Sequence, residues 1–159
     1  MKIIRAQEKH ISDVAILFNA YRQFYDCEAD LQLAEKFISE RIKNQESIVF
    51  IACDQQSDGP SRNNLYGFVQ LYPSFCSVDA VKIYILYDLF VCETQRKQGL
   101  GEKLMTHAAN YAATNQIKRI DLLTAFSNIT GQRIYEKLGY KKVNENFHAY
   151  SLDIVSSQV

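Results

Sequence analysis

Apolar positions recur along the chain at two periods, near two and near 3.6 residues, and the changes between them mark out strands and helices. Lys2 to Ala6 reads as a short first strand. From about Glu8, the residues Ile11, Val14, Ala15, Phe18 and Tyr21 fall at three- and four-residue steps, the stripe of a helix with one buried face. Asp30 stands where an N-cap belongs, ahead of Leu31 to Lys43, in which Leu33, Phe37, Ile38 and Ile42 share a face of a second helix. Ser47 to Cys53 and Leu65 to Tyr72 are rich in β-formers. Between them, Asp54 to Asn64 carries Asp58-Gly59-Pro60-Ser61 and reads as the long polar tip of a hairpin.

Lys82 to Cys92 is the most apolar strand, and its near-continuous pattern predicts a central position with both faces covered. Polar Glu93 to Gln98 leads to a helix whose apolar face is Leu100, Leu104, Met105, Ala108, Tyr111 and Ala112. Lys118 to Thr124 follows as a strand, and a last helix runs from about Asn128 to Leu138, with Gly139 as its C′ residue. Tyr140 to Val143 and Phe147 to Ile154 complete the pattern as a hairpin around Asn144-Glu145-Asn146. No repeat, low-complexity tract or linker divides residues 1–159, so a single α/β domain is expected.

Charge and composition exclude some partners. The 159 residues carry 18 Lys+Arg against 18 Asp+Glu, so the basic excess that drives binding to nucleic acid or an anionic membrane is lacking, and neither is expected as a partner. A chain of this length buries about 68 to 70% of its unfolded surface and needs no disulfide framework. Cys27, Cys53, Cys76 and Cys92 lie far apart, without a C-x-x-C pair or a His at ligand spacing, and read as reduced thiols with no metal. The start of the chain has no apolar targeting segment, and no run approaches the roughly 18 to 20 apolar residues of a membrane span, so a cytoplasmic location is expected.

The stretch richest in chemistry is Arg96-Lys97-Gln98-Gly99-Leu100-Gly101, followed by Glu102, between the central strand and a helix. A glycine-rich turn at a helix N-terminus leaves backbone N–H groups unpaired, and the helix dipole adds about half a positive charge, so an anion such as pyrophosphate binds well there. Gly99 and Gly101 permit close backbone approach, while Arg96 and Lys97 add charge. A Walker loop fails because Glu102 follows Gly101. A dinucleotide fingerprint fails because Leu104 stands where a small residue belongs.

Arg-x-x-Gly-x-Gly between strand and helix resembles the acyl-CoA pyrophosphate loop of the GNAT superfamily of N-acetyltransferases. A second, independent match is Asn128, followed seven residues later by Tyr135-Glu136-Lys137-Leu138-Gly139-Tyr140, which looks like the block whose Asn and helical Tyr flank the CoA arm. The order of elements is also similar, over roughly residues 1 to 153. The resemblance implies a mixed, mostly antiparallel sheet of about seven strands flanked by about four helices, and acetyl-CoA as cosubstrate. It implies that the cosubstrate is held by Leu89, Phe90 and Val91, by Arg96, Lys97, Gln98, Gly99, Leu100, Gly101 and Glu102, and by Asn128, Tyr135 and Lys137. Gly131 departs from the pattern, which often has Ala there, and glycine in a helix costs about 1 kcal/mol.

Acetyl transfer to an amine needs a proton donor for the departing thiolate and a base for an amine whose pKa is about 10.4 in water. The helical spacing alone favours a core tyrosine at Tyr135, and the resemblance reverses that by assigning it as the general acid. Asp88 is the candidate base, because a carboxylate inside an apolar strand is costly to bury unless it is paired or working. A salt bridge to Arg119 or Arg133, or a hydrogen bond pinning the strand, explains it as well. Related polyamine acetyltransferases often carry an acidic residue one position earlier, where this chain has Tyr87, and a water relayed from Asp88 would serve equally. Cys92 admits an acyl-enzyme reading, but no His is adjacent in sequence to activate it. His10, His107 and His148 are isolated and read as surface histidines, with His148 within reach of the site from the last hairpin.

Between the first two helices, Tyr21 to Asp30 sets Asp26, Glu28 and Asp30 behind aromatic residues, which suits a cationic amine through Coulomb attraction and cation–π contact. Tyr21, Tyr25, Glu28 and Tyr87 are therefore the candidate acceptor-binding residues, with Asp30 explained equally by capping. Tyr-x-x-Phe-Tyr and the segment Phe147 to Leu152 look like members acting on diamines, polyamines or histone-type substrates, which implies a small amine or a lysine side chain as acceptor. The expected activity is direct attack in a ternary complex. Alternatives are a catalytically silent acyl-CoA-binding module, or transfer to an amino acid, an antibiotic or a protein N-terminus, and a homodimer stays open.

Overall fold

The computed structural model describes residues 1–54 and 65–143; the hairpin tip, the strand Phe147 to Ile154 and His148 lie outside the described residues. Five strands form one sheet in chain order: β1 (Lys2–Arg5), β2 (Ile48–Cys53), β3 (Leu65–Cys76), β4 (Val81–Val91) and β5 (Arg119–Asp121). The first four pair antiparallel, and β5 joins β4 in parallel. A parallel partner requires a crossover, supplied here by α3 (Leu100–Thr114).

The other helices are α1 (Ile11–Phe24), α2 (Leu31–Lys43) and α4 (Ile129–Lys137). On one face of the sheet, Val14, Phe18, Ala34 and Ile38 of α1 and α2 pack against Val49, Ile51, Phe68 and Phe90. On the other, Leu104, Met105 and Ala108 of α3 pack against Phe50, Val69, Leu71 and Leu86, with Ile134 and Tyr135 of α4 alongside. All of β2 is buried because helices cover it on both sides. Asp30 caps α2 as expected, its carboxylate accepting from Leu33 N at 2.9 Å. The first helix begins at Ile11, after a 3-10 turn at Glu8–His10. His10 is buried rather than at the surface, because its Nδ1 accepts from Gln7 N at 2.8 Å and satisfies the chain end of the turn.

The expected seven strands become five among the described residues. Tyr140 to Val143 joins no ladder, since its proposed partner lies outside them. The expected strand Lys118 to Thr124 contracts to β5, which pairs with β4 only from Ile83↔Arg119 to Ile85↔Asp121. Beyond Ile85 the two part. From Leu86 to Val91, β4 keeps β3 on one side and has no strand on the other among the described residues.

A bulge lies at the same point. Gln70 pairs with Asp88 and Leu71 with Leu86, so Tyr87 is the extra residue of β4. The inserted residue shifts the alternation. Tyr84, Leu86, Leu89 and Val91 meet the α3 side, while Asp88 and Phe90 turn to the α1 side.

Candidate active site

The loop after β4 is shaped by its backbone. Cys92 N donates to Tyr66 O at 2.8 Å, a 3-10 turn spans Glu93–Gln95, and Lys97 and Gly99 then take left-handed conformations with φ of 60° and 76°. Lys97 bears that strain at a Cβ, whereas Gly99 does not. The first helical bond of α3 runs from Lys103 N to Gly99 O at 3.1 Å, which leaves the N–H groups of Leu100, Gly101 and Glu102 ahead of it. A Cβ at Gly99 would meet nothing within 4 Å, and one at Gly101 would make only ordinary contact with Ile134 at 3.8 Å and Val91 at 3.9 Å.

The side chains of this stretch are arranged differently from the sequence expectation. Arg96 turns back: its Nε donates to Val91 O at 3.0 Å, and its guanidinium lies 5.2 Å from the Phe24 ring and 5.8 Å from the Phe90 ring. It fastens the loop to α1 and β4 while its guanidinium stays exposed, as Lys97 does beside it. Gln98 Nε2 donates to Thr94 O at 3.1 Å, and Leu100 is a core residue. Glu102 and Lys137 pair with each other at 2.8 Å, tying the start of α3 to the end of α4. Leu89, Phe90 and Val91 have their side chains in the two cores and their main chain on the stretch of β4 that β5 leaves unpaired.

Asn128 caps α4. Its Oδ1 accepts from Gly131 N at 3.0 Å and its Nδ2 donates to Thr124 Oγ1 at 3.0 Å. Tyr135, half-buried on the same helix, also hydrogen-bonds Thr124; burial raises its pKa and that bond opposes the rise. The phenol therefore stays protonated at neutral pH. The charge of Tyr25 adds to the rise at Tyr135, and the Tyr135 charge in turn adds to the rise at Tyr21.

A cavity of about 820 Å³ opens between α1, α2 and the stretch of β3 and β4 around the bulge. Asp88, only 5% exposed, lines it together with Tyr21, Tyr25, Tyr72 and Tyr87. Burial lifts the Asp88 carboxyl to about 6, against a stabilising hydrogen bond from Tyr21. Burial and the Asp88 charge together push the Tyr21 phenol far above its ordinary value. Arg119 does not pair with Asp88, since it binds Asp79 and Asp121, each at 2.8 Å. Tyr25 sets its ring edge-on to Tyr21 at 5.1 Å, and Tyr87 does the same to Tyr72 at 6.0 Å.

Three of the four candidate acceptor residues thus meet around Asp88. Glu28 does not: it is exposed and outside the cavity wall, as is Asp26, whose φ of 60° belongs to the turn after α1. The charged residues that do line the wall, Arg22, Arg41 and Glu46, went unnoticed in the sequence, as did Tyr72. Arg22 directly follows Tyr21, and adjacent helical residues project in different directions, so only the packing of α1 on α2 shows that both line one cavity. Cys92 directs Sγ to Leu65 O at 3.8 Å, and burial raises its thiol, the reverse of what an acyl-accepting thiolate needs. Among the described residues no three His, Cys, Asp or Glu side chains are grouped to hold a metal, and no helix is long and apolar enough to cross a membrane.

Residues 14–140 match the Acetyltransferase (GNAT) family. The chain is 38% identical to the uncharacterized N-acetyltransferase YhfO of Bacillus subtilis (strain 168) over 154 residues, 97% of this chain and 98% of that protein. It is 28% identical to a probable acetyltransferase of Haemophilus influenzae over 120 residues, 76% of this chain and 78% of that one. The crystal structure of a probable acetyltransferase superposes with a TM-score of 0.87 at 32% identity, covering 99% of this chain and all of the other.

Proposed function

The chain belongs to the GNAT family of acetyltransferases, and from that premise we propose that it transfers the acetyl group of acetyl-CoA to a primary amine by direct attack, with both substrates bound at once. The observation that carries this reading is Asp88: a buried carboxylate with a pKa of about 6, set in the wall of an aromatic cavity. A base near neutrality is ionised at pH 7 and still able to hold a proton. An amine arriving as ammonium gives that proton to Asp88, directly or through a water, and becomes a nucleophile.

On the α4 side, Tyr135 holds its proton at neutral pH and interacts electrostatically with Tyr21, which supports it as the donor to a departing thiolate. The cosubstrate supplies an activated thioester. The open backbone at Gly99 to Glu102 fits its pyrophosphate, with Lys97 as the adjacent cation, and the unpaired main chain of Leu89 to Val91 fits its amides as an added strand would. Arg96, Asn128, Glu102 and Lys137 support this reading indirectly, by fixing the loop and α4.

Four tyrosines in the wall suit an ammonium, each such contact contributing about 0.5 to 2 kcal/mol. The acceptor is a small amine or a lysine-type side chain. The test is CoA-thiol release by the purified protein with acetyl-CoA over polyamines, amino acids, aminoglycosides and lysine peptides. Amine-dependent release with intersecting initial-velocity lines is expected. Parallel lines would replace direct attack by an acyl-enzyme, and no amine-dependent release would remove the reading.

A further inference from the structure

We propose that the acceptor is an amino carboxylate, a small molecule that carries its reactive amine and a carboxylate together, and that Arg22 is the residue that binds the carboxylate. This rests on the acetyltransferase reading of the Asp88 cavity and adds the chemical class of its acceptor.

Four charged side chains line that cavity: Arg22, Arg41, Glu46 and Asp88. Three of them are already answered. Arg41 Nε binds Glu46, its Nη2 lies 3.5 Å from Glu40, and its guanidinium stacks 4.9 Å from the Phe37 ring. Asp88 has the Tyr21 phenol. Arg22 is the exception, since its Nη1 is buried and has no hydrogen-bond partner among the described residues.

A guanidinium cannot relieve this by losing its proton, so the buried N–H groups call for an acceptor, and a planar fork is best matched by a carboxylate. Arg22, Tyr21 and Asp88 line the same cavity, so the unanswered cation and the base that Tyr21 bonds share one space. A diamine's second ammonium would find no unpaired carboxylate in the wall, since Glu46 is paired with Arg41 and Asp88 receives the reacting amine, and it would stand near the Arg22 cation. An amino carboxylate places its amine toward Asp88 and its anion toward Arg22, and both buried groups are satisfied by one ligand. The sequence expectation of a cationic acceptor drew on Asp26, Glu28 and Asp30 beside the aromatic residues, and none of these carboxylates is in the wall.

Matched pairs that differ only by the carboxylate test this: lysine and cadaverine, 2,4-diaminobutyrate and 1,3-diaminopropane, phenylalanine and phenethylamine. In at least one pair, kcat/KM for the carboxylate member should exceed its partner by about 10- to 100-fold, because an analogue lacking the group leaves a buried donor unmet. Arg22→Gln should collapse that ratio to near one through KM, and Arg22→Lys should restore part of it. Equal or better use of the decarboxylated members, or a ratio unmoved by Arg22→Gln, overturns the proposal while leaving the acetyltransferase reading standing. Calorimetric titration of the same pairs into the CoA-saturated protein separates the two ideas from the other side. Arg22-dependent binding of the carboxylate member without turnover supports this inference and not the enzyme reading, and no discrimination in binding overturns it.

Discussion

The Tyr21 phenol on α1 hydrogen-bonds the Asp88 carboxylate on β4, and each group shifts the other's ionisation in a definite direction. Asp88 makes Tyr21 harder to deprotonate. Tyr21 makes Asp88 easier to ionise, holding it near 6 against a burial that pushes it higher. The pair exists because the Tyr87 bulge turns Asp88 toward α1, one residue out of step with a regular strand.

Tyr21→Phe removes the bond that favours the ionised carboxylate and leaves burial unopposed, so the Asp88 pKa should rise above its present value of about 6. The acid limb of kcat/KM against pH should move upward, with activity reduced at neutral pH and recovering under alkaline conditions. A pH profile of the variant against the parent checks this, and an unmoved limb would separate Asp88 from the proton transfer.

Asp88→Asn should separate activity from stability. In the folded protein the carboxyl titrates near 6, against 3.8 ordinarily, so the folded state binds the proton more tightly. Stability is therefore highest below the unfolded pKa, falls as pH rises between the two values and stays lower above them, by an amount of the order of 3 kcal/mol at most. The amide avoids this loss. The variant should lose about 10²- to 10⁴-fold in kcat/KM yet melt higher than the parent at neutral pH, with the gap closing near pH 4. Thermal melts across that range decide it, and a variant that melts lower at neutral pH contradicts the burial argument.

How much of this was legible from the sequence depended on whether a feature is local. The α2 boundaries, the Asp30 cap and the start of α4 near Asn128 follow from residues within one turn of each other, and the structure has them where the pattern places them. The Asp88 anomaly was visible because one carboxylate interrupts an apolar run. The bulge at Tyr87 was not, because a near-continuous apolar strand has no alternation in which a skipped residue would show. The extent of β5 depends on where β4 and β5 diverge, and the cavity charges depend on the packing of α1 against α2. Both are tertiary facts, and for that reason Glu28 stood in for Arg22 and Glu46.

Tyr135→Phe should lower kcat much more than it changes acetyl-CoA affinity, since the ring remains and only the hydroxyl shared with Thr124 is lost. Steady-state kinetics with a separate CoA titration test it. A kcat equal to the parent's would move the general-acid role to another group.

Gly101→Asp should abolish the rise in melting temperature that acetyl-CoA gives the parent by mass action. The position has space, with Ile134 at 3.8 Å and Val91 at 3.9 Å, so the variant folds, but a carboxylate then stands among the N–H groups proposed for the pyrophosphate. Gly101→Ala, which adds bulk without charge, should weaken the shift less. If both variants keep the parent's shift, the loop is not the phosphate site.

Gly131→Ala tests whether the glycine in α4 is a weakness, as helix propensity alone implies. Replacing an interior helical glycine by alanine ordinarily gains about 1 kcal/mol. Here a Cβ would lie 2.5 Å from Asn128 Nδ2 and 2.9 Å from its Oδ1, the atom that accepts from Gly131 N, so the cap has to move to admit the methyl group. Displacing an Asn cap costs roughly 0.5 to 2 kcal/mol, enough to cancel the propensity gain or reverse it. The same movement loosens the Asn128 to Thr124 bond and with it the partner of Tyr135. The expected outcome is a melting temperature no higher than the parent's, together with a reduced kcat. A variant that is both more stable and fully active would mean that the cap relaxes freely and that the close approach of Gly131 to Asn128 has no part in positioning Tyr135.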